Sequence, residues 1–503
     1  MIIIIHNARV AGNQNLVKIT CDSETCRITT VDQQARRSLV PPLWLRRRDI
    51  HNPTPVVQLR RQSDDLIVID AGGSLVLPGL VHAHLHLSQA FFGEEHSGYP
   101  DGSELLFSPR GVAFIDPDAD IEFLFGKATS DIEGSIPMHE QKRRAAALVR
   151  LSSLAQSGRQ IIEASLSHGV TTVRAQVDVD AMVGYLPLHA AFGLQTEFEG
   201  RCDIRLSAFA SQPIYCQRDR GFMPNHTHGM KRLLQWAVSK EGVRAVGSAP
   251  FTEGDQMAAI MNIHYILDLA ETHGVDAEFK LDLDITEDER VMDLIEEVQK
   301  RPAFHSDFYS RDPAHANFPL RVTIAHHGRL ADMHPTPKSG LAEAVAGWEI
   351  YFVGFPYVTE ESLSRPVASA LGTGNGSLVK DLDAHTSIAF ENAGSPMTPW
   401  DTDPLALPTV AALFNPYDPE DPSEAKAQSL LRMVTINAAA AAGMGKRAHP
   451  QSLLLRSGDV ANLVILDGCF DCRTAVCSPP YGRITIKRGR VVAGDLVTGW
   501  TGR

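Results

Sequence analysis

The chain has 503 residues, of which 44% are hydrophobic and 21% charged, and it carries a net charge of −13. That length exceeds a single small core and suits a barrel of ordinary size plus a smaller domain. The acidic balance argues against nucleic acid or an anionic membrane as partner, and no run of about 18 apolar residues marks a membrane span. Seven cysteines in a chain with no signal-like leader fit reduced thiols in the cytoplasm.

The N-terminal part reads as short strands between polar turns: Ile2 to Ile5, Leu16 to Thr20, Arg27 to Val31 and Leu66 to Ile69. Arg46-Arg47-Arg48 and Arg60-Arg61 lie in a stretch rich in proline and arginine, where no aromatic residues interleave them, so a solvated surface loop is expected. Val76, Leu77, Leu80 and Val81 then form a short apolar strand that runs into His82, His84 and His86. Side chains two apart on a strand share a face, so all three imidazoles are expected to look the same way. Neutral imidazole is a common nitrogen ligand for zinc and iron. The period-two spacing behind Pro78-Gly79 sets these three apart from scattered surface histidines.

The long stretch from Phe91 to about Pro137 reads as a lid or a binding wall. Gln141 to Ser167 has the pattern of an amphipathic helix, with Gly169 as its cap. Strand patterns follow at Val170 to Asp178, Ile204 to Ala210, Val243 to Gly247, Val275 to Leu281, Val322 to Ala325, Ile350 to Val353 and Ser387 to Phe390. Helical patterns at Met230 to Ser239 and from about Gly254 to His273 alternate with them. Such alternation predicts a parallel sheet closed into an α/β (β/α)8 TIM barrel, with functional side chains just past the C-terminal strand ends. Pro302 to Pro319, which carries His305 and His315, reads as a peripheral loop, with an arm over the mouth as the alternative. Near the C-terminus a strand lies within Gly458 to Asp467, and Ile484 to Lys487 with Arg490 to Ala493 form a hairpin around Arg488-Gly489. Neither end can bury a sheet face alone. Residues 1–77 and 446–503 are therefore expected to pair into a small β-sandwich domain, with the barrel over 78–445. Cys469-Phe470-Asp471-Cys472 is a lone C-x-x-C and reads as structural.

The run strand-Pro-Gly-aliphatic-Val-polar-x-His-x-His over Val76 to His86 resembles the first-strand signature of the amidohydrolase superfamily, metal-dependent (β/α)8 barrels that mostly hydrolyse C–N bonds. Over roughly residues 66 to 495 the order of segments most resembles the cytosine deaminase-like branch, as a divergent, fungal-type member. The resemblance implies that His84 and His86 ligate one divalent ion, Zn2+ or Fe2+, and His82 stands where the family usually has Asp, Asn or Glu. It also implies a β-sandwich built from both termini, with Gln34 to about Asp64 as an insertion. His326, in Val322-Thr323-Ile324-Ala325-His326-His327-Gly328, takes the position that orients the attacking water or the substrate. Glu391, in Ser387-Ile388-Ala389-Phe390-Glu391-Asn392, stands where the family has an Asp that ligates metal and shuttles protons. Asn392 and Trp400 nearby become substrate-binding candidates, with a turn-capping Asn392 as the alternative.

The chain departs from that pattern at several places. In Val275-Asp276-Ala277-Glu278-Phe279-Lys280-Leu281-Asp282-Leu283, Lys280 occupies the place of a ligand His and Leu283 that of the acid-base Glu. An ammonium weakens binding of a neighbouring divalent cation. Lys280 is therefore open to four roles: a deprotonated or carbamylated ligand, a fixed cation replacing the metal, an imine-forming nucleophile, or a lysine salt-bridged to Asp282 or Glu278. Gln176 stands where the branch tends to have His. Its base-reading Gln falls on Ser211, with Gln212 one residue on, so Gln212 and Asp178 are weaker candidates.

The expected function is a metal-dependent amidohydrolase that hydrolyses a cyclic amide or amidine, or deaminates a small heterocycle, with His326, Lys280 and Glu391 as catalytic candidates. Two alternatives stay open: a metal-free or weak-metal lyase, cyclase or isomerase of specialised metabolism using Lys280 and His326, and a degenerate barrel with a binding or scaffold role. The expected partner is a small-molecule substrate. A homo-oligomer is compatible with the sequence.

Overall fold

A computed structural model describes residues 1–34, 57–87, 155–180, 184–215, 226–253, 255–281, 289–308, 319–325, 341, 343–354, 387–390, 403–409, 424–444 and 453–494. The N-terminal strands are β1 (Ile2–Val10), β2 (Val17–Asp22), β3 (Arg27–Gln33), β4 (Gln58–Ser63), β5 (Leu66–Asp70) and β6 (Leu75–Pro78). β1 is long enough to serve two neighbours in succession. Ile2 to His6 pair with β5 in parallel, and Arg9 and Val10 pair with β6. Its alternation of buried and half-buried residues follows from one apolar face, with Ile3 and Ile5 both fully buried. One expectation is corrected here. Arg60 and Arg61 sit on the exposed strand β4, which pairs antiparallel with β5, so they are not in a loop. Arg46 to Arg48 lie outside the described residues.

The barrel strands are β7 (Leu80–His86), β8 (Val170–Asp178), β9 (Asp203–Ala210), β10 (Val243–Ser248), β11 (Asp276–Lys280), β12 (Val322–Ala325), β13 (Ile350–Gly354) and β14 (Ser387–Phe390). They form one eight-stranded sheet in strict chain order, every pairing parallel. The last strand comes back against the first, which closes the sheet into a barrel. Between them lie α1 (Leu186–Glu197), α2 (His226–Val238), α3 (Gln256–His273) and α4 (Glu289–Gln299), then α5 (Glu424–Arg432) and α6 (Ile436–Ala441) after β14. α3 starts at Asp255, whose side chain accepts from the amide of Ala258, and ends at Gly274 in the left-handed region. Residues 155–167 are helical, and the remainder of the expected 141–167 helix and the 91–137 loop lie outside the described residues.

The expected single strand from Val76 to Val81 is in fact two, and Gly79 is the joint. β6 belongs to the terminal sheet and β7 to the barrel. A Cβ on Gly79 would fall 2.4 Å from Oγ1 and 2.5 Å from Cγ2 of Thr171, so only glycine lets β7 enter beside β8. The Pro302 segment is also placed. Phe304 is buried, and His305 bridges to Trp348 beside the starts of β12 and β13. Its described part is thus at the N-terminal end of the barrel, away from the mouth.

β15 (Leu463–Leu466), β16 (Arg483–Lys487) and β17 (Arg490–Gly494) complete the terminal sheet, with β15 antiparallel to β6. The two halves share one apolar core that joins Ile3, Ile5, Val17 and Ile19 to Val76, Ile465, Ile484 and Ile486. The hairpin forms as the dipeptide predicts, with φ of 48° at Arg488 and 72° at Gly489. β16 is buried on both faces. Ile484 and Ile486 face the sandwich core, while Arg483, Thr485 and Lys487 reach the barrel. Arg483 pairs with Asp403 at 2.7 Å, Thr485 donates to the Leu166 carbonyl, and Lys487 donates to the Thr171 carbonyl and to Asp203. A period-two strand thus welds the two units.

Candidate active site

On β8, Ala175 and Val177 enter the core between sheet and helices, which turns Arg174, Gln176 and Asp178 to the barrel interior. By the same alternation Ser207, Glu278, Lys280 and Thr323 face inwards from β9, β11 and β12. β7 breaks its own alternation. Its pairing with β8 shifts between His82 and Leu85, so an extra residue is accommodated there. The expectation that three histidines share a face is therefore corrected. His82 bonds Ser165 Oγ at 2.9 Å on the helical side, while His84 and His86 look into the barrel.

His84 and His86 converge. Their Nε2 atoms lie 3.0 Å apart, and the rings meet edge to face at 83°. The Nδ1 of His84 is 2.5 Å from Glu278 Oε1. Glu278 is fully buried. Burial by itself would push its carboxyl up, but the Arg174 guanidinium and His84 outweigh that and hold it well below the usual carboxylate range. An anionic Glu278 fixes the proton of His84 on Nδ1 and leaves the Nε2 lone pair facing His86. Arg174, 2% exposed, contacts Glu278 Oε2 at 3.3 Å and donates to Thr323 Oγ1 at 2.8 Å and to the Ala441 carbonyl at 2.7 Å. That last contact ties the site to the end of α6.

Two nitrogen ligands, each about 2.0–2.1 Å from one ion, lie roughly 3.0–3.4 Å apart for the common coordination angles, and the histidine pair has that spacing. The donor chemistry also fits, because a ligating imidazole usually gives its other N–H to a carboxylate, as His84 does. Gln176, the direct β-partner of His86, is 2% exposed, and its Oε1 has no hydrogen-bond partner among the described residues. No third His, Cys, Asp or Glu joins the pair among the described residues. His326, Glu391, Asn392 and Trp400 lie outside them.

Lys280 ends β11 on the same inward face as Glu278 and is half-buried. Of the roles open to Lys280, a salt bridge to Glu278 is not formed. Glu278 is engaged by Arg174 and His84, and the Lys280 ammonium lies 5.9 Å over the Phe251 ring instead. Asp282 and Leu283 lie outside the described residues. β9 ends at Ala210, so Gln212 belongs to the loop at the mouth, free of the strand's facing rule. Buried Glu253 holds that loop by accepting from the amides of Ile214 at 2.7 Å and Tyr215 at 3.1 Å. Asp178, at the end of β8, accepts from Ser211 Oγ.

Glu278 and Arg174 are the residues that sequence reasoning missed as a functional pair. Their signal was parity: each sits two residues before a noted candidate, Lys280 or Gln176, on the same strand face.

No protein-family model and no curated protein matches the sequence. Solved structures do. N-isopropylammelide isopropylaminohydrolase from Burkholderia multivorans aligns over 98% of this chain and 99% of its own, at 18% identity and a TM-score of 0.63. The 5-methylcytosine deaminase from Klebsiella pneumoniae, liganded with 5-fluorocytosine, covers 100% and 99% at 19% identity and a TM-score of 0.63. A prolidase complexed with N-methylphosphonate-L-proline covers 98% and 100% at 15% identity and a TM-score of 0.53. Identities this low establish a shared fold alone, and that fold is the (β/α)8 barrel with a β-domain built from both termini.

Proposed function

We propose that the protein is a metal-dependent hydrolase of a C–N bond in a small cyclic amide, amidine or amino-heterocycle. The observation that carries this reading is the convergence of the His84 and His86 Nε2 atoms at 3.0 Å with Glu278 behind His84. His84 and His86 would hold one divalent ion, zinc or ferrous iron, with Glu391 as an oxygen donor. Such an ion supplies Lewis acidity, polarising the scissile group and making water a competent nucleophile near neutral pH.

The chain's own residues do the rest. Glu278 and Arg174 lock the His84 ring and its tautomer. His326 would orient the nucleophile or the developing oxyanion, and Glu391 would carry protons when it is not a ligand. Buried Gln176 Oε1 offers an acceptor for a substrate N–H. Gln212, Asn392 and Trp400 would line the substrate. C–N hydrolases among the solved structures of this fold support the reading.

Elemental analysis of protein purified without chelator tests it. The expected result is close to one zinc or iron per chain, lost in the double variant His84→Ala, His86→Ala together with hydrolysis of a panel of lactams and aminopyrimidines. Metal-free protein that still hydrolyses the panel refutes it. A second reading, a lyase, cyclase or isomerase that works through Lys280 and His326, draws on Lys280, which forms no ion pair among the described residues. Its signature is borohydride trapping of a carbonyl substrate on that lysine.

A further inference from the structure

We propose that Glu253 is a positioning residue for substrate recognition, acting through the loop after β9 to hold Gln212 at the barrel mouth. This inference rests on the proposed reading of that mouth as the substrate site, and it names the residue that shapes one wall of it.

β9 ends at Ala210, and Ser211 to Tyr215 leave its C-terminal end, where barrels of this kind bind their ligands. The segment is anchored on both sides. At its start Ser211 Oγ donates to Asp178, the last residue of β8. At its finish the amide of Ile214 donates to Glu253 Oε1 at 2.7 Å, and that of Tyr215 to Oε2 at 3.1 Å. Only Gln212 and Pro213 lie between these anchors, and the proline ring fixes its own φ. The position of Gln212 is therefore set by a carboxylate on either side of it. The Tyr215 ring is held as well, because the Lys231 ammonium of α2 sits 4.5 Å over it and 4.8 Å over Tyr265 of α3.

Glu253 is itself fastened to rigid elements. It ends the short helical turn Pro250–Thr252 that follows β10, and Phe251 of that turn lies 5.9 Å from the Lys280 ammonium. The turn and Lys280 thus stand at the same end of the barrel. Buried Asn262 of α3 donates to Glu253 Oε1 at 2.7 Å, and its Oδ1 accepts from the hydroxyl of buried Ser248, the last residue of β10. One carboxylate thus takes three N–H donors, two from the loop and one from α3. Glu253 is 7% exposed, and a buried charge is tolerated only when hydrogen bonds satisfy it. Satisfied in this way, it rigidifies what it binds. Binding groups work only when a supporting layer holds them within about 0.5 Å of their productive position. The Ser248–Asn262–Glu253 chain is such a layer, and Gln212 is the side chain it supports.

The test compares Glu253→Gln, Gln212→Ala and the double variant in full-length protein. Steady-state kinetics on the panel of lactams and aminopyrimidines and hydrogen exchange followed by mass spectrometry are the two readouts. Glutamine keeps the size of the side chain but offers one acceptor oxygen in place of two. Glu253→Gln is expected to speed exchange in the peptide carrying Ile214 and Tyr215 at least about tenfold, with β9 unchanged. It is expected to raise KM at least about fivefold while kcat changes less than about twofold. The double variant is expected to be no worse than Gln212→Ala alone, because both changes act on one group. A Glu253 that only stabilised the fold would give losses that add. Should Glu253→Gln fail to fold, Glu253→Asp, shorter by one methylene, carries the same comparison. Unchanged exchange, an unchanged KM in Gln212→Ala, additive losses or a loss confined to kcat overturns the inference. The outcome is separable from the hydrolase reading. Metal-dependent turnover with additive losses sinks only this inference, and turnover that needs no metal, with losses that do not add, sinks only that reading. No turnover by the wild type sinks both.

Discussion

Replacing Arg174 with Met tests whether the buried Arg174–Glu278–His84 chain holds the barrel interior. The substitution keeps most of the side-chain volume and removes the charge that faces Glu278. The two ions are 3.3 Å apart with exposures of 2% and 0%. At an effective dielectric of about 20, Coulomb's law gives roughly 5 kcal/mol for such a contact. Breaking a buried pair from one side typically costs about 3–5 kcal/mol, because the surviving charge is stranded. Arg174→Met is therefore expected to destabilise the metal-free protein by about 3–5 kcal/mol. The double variant Arg174→Met, Glu278→Gln, which strands no ion, should recover more than half of that loss.

The pH dependence has a definite sign. The folded carboxyl of Glu278 lies below its unfolded value of about 4.3, so its contribution is complete above that value and is lost as pH falls through the folded one. The wild type should lose this increment on acidification below about pH 4, and the double variant should not. Urea unfolding followed by both circular dichroism and tryptophan fluorescence measures the losses. A cost below about 1 kcal/mol for Arg174→Met, or a double variant worse than the single one, would refute the account.

Two further outcomes probe the frame around the site. Gly79→Ala should destabilise by about 1–3 kcal/mol, since the new methyl collides with Thr171 at 2.4 Å, and adding Thr171→Ala should restore most of the loss in the same unfolding assay. Burial pushes the thiols of Cys21, Cys202 and Cys469 up to about 12, whereas Cys477 is exposed. In native protein at pH 8 a disulfide reagent should therefore modify Cys477 well before those three, as read by peptide mass spectrometry. Equal labelling would contradict the packing of β2 and of the β8–β9 connection.

The sequence by itself determined the alternation of strands and helices, and that was enough to fix the barrel. Val322–Ala325 and Ser387–Phe390 are strands to the residue, because short β-branched or apolar runs bounded by polar segments have few other ways to bury themselves. The Arg488-Gly489 turn was equally legible, since local backbone preference decides a two-residue hairpin. The pairing of His84 with His86 was readable too, as two residues of equal parity on one strand. What only tertiary structure decided is whatever depends on a neighbouring strand. The β-bulge that turns His82 away arises from the register of β7 on β8, and the break at Gly79 arises from how closely Thr171 approaches. The roles of Glu278 and Arg174 come from strands β11 and β8, the two residues lying 104 positions apart in the chain, and no local pattern carries that juxtaposition. Periodicity tells which way a side chain faces; only the closed barrel tells what it meets there.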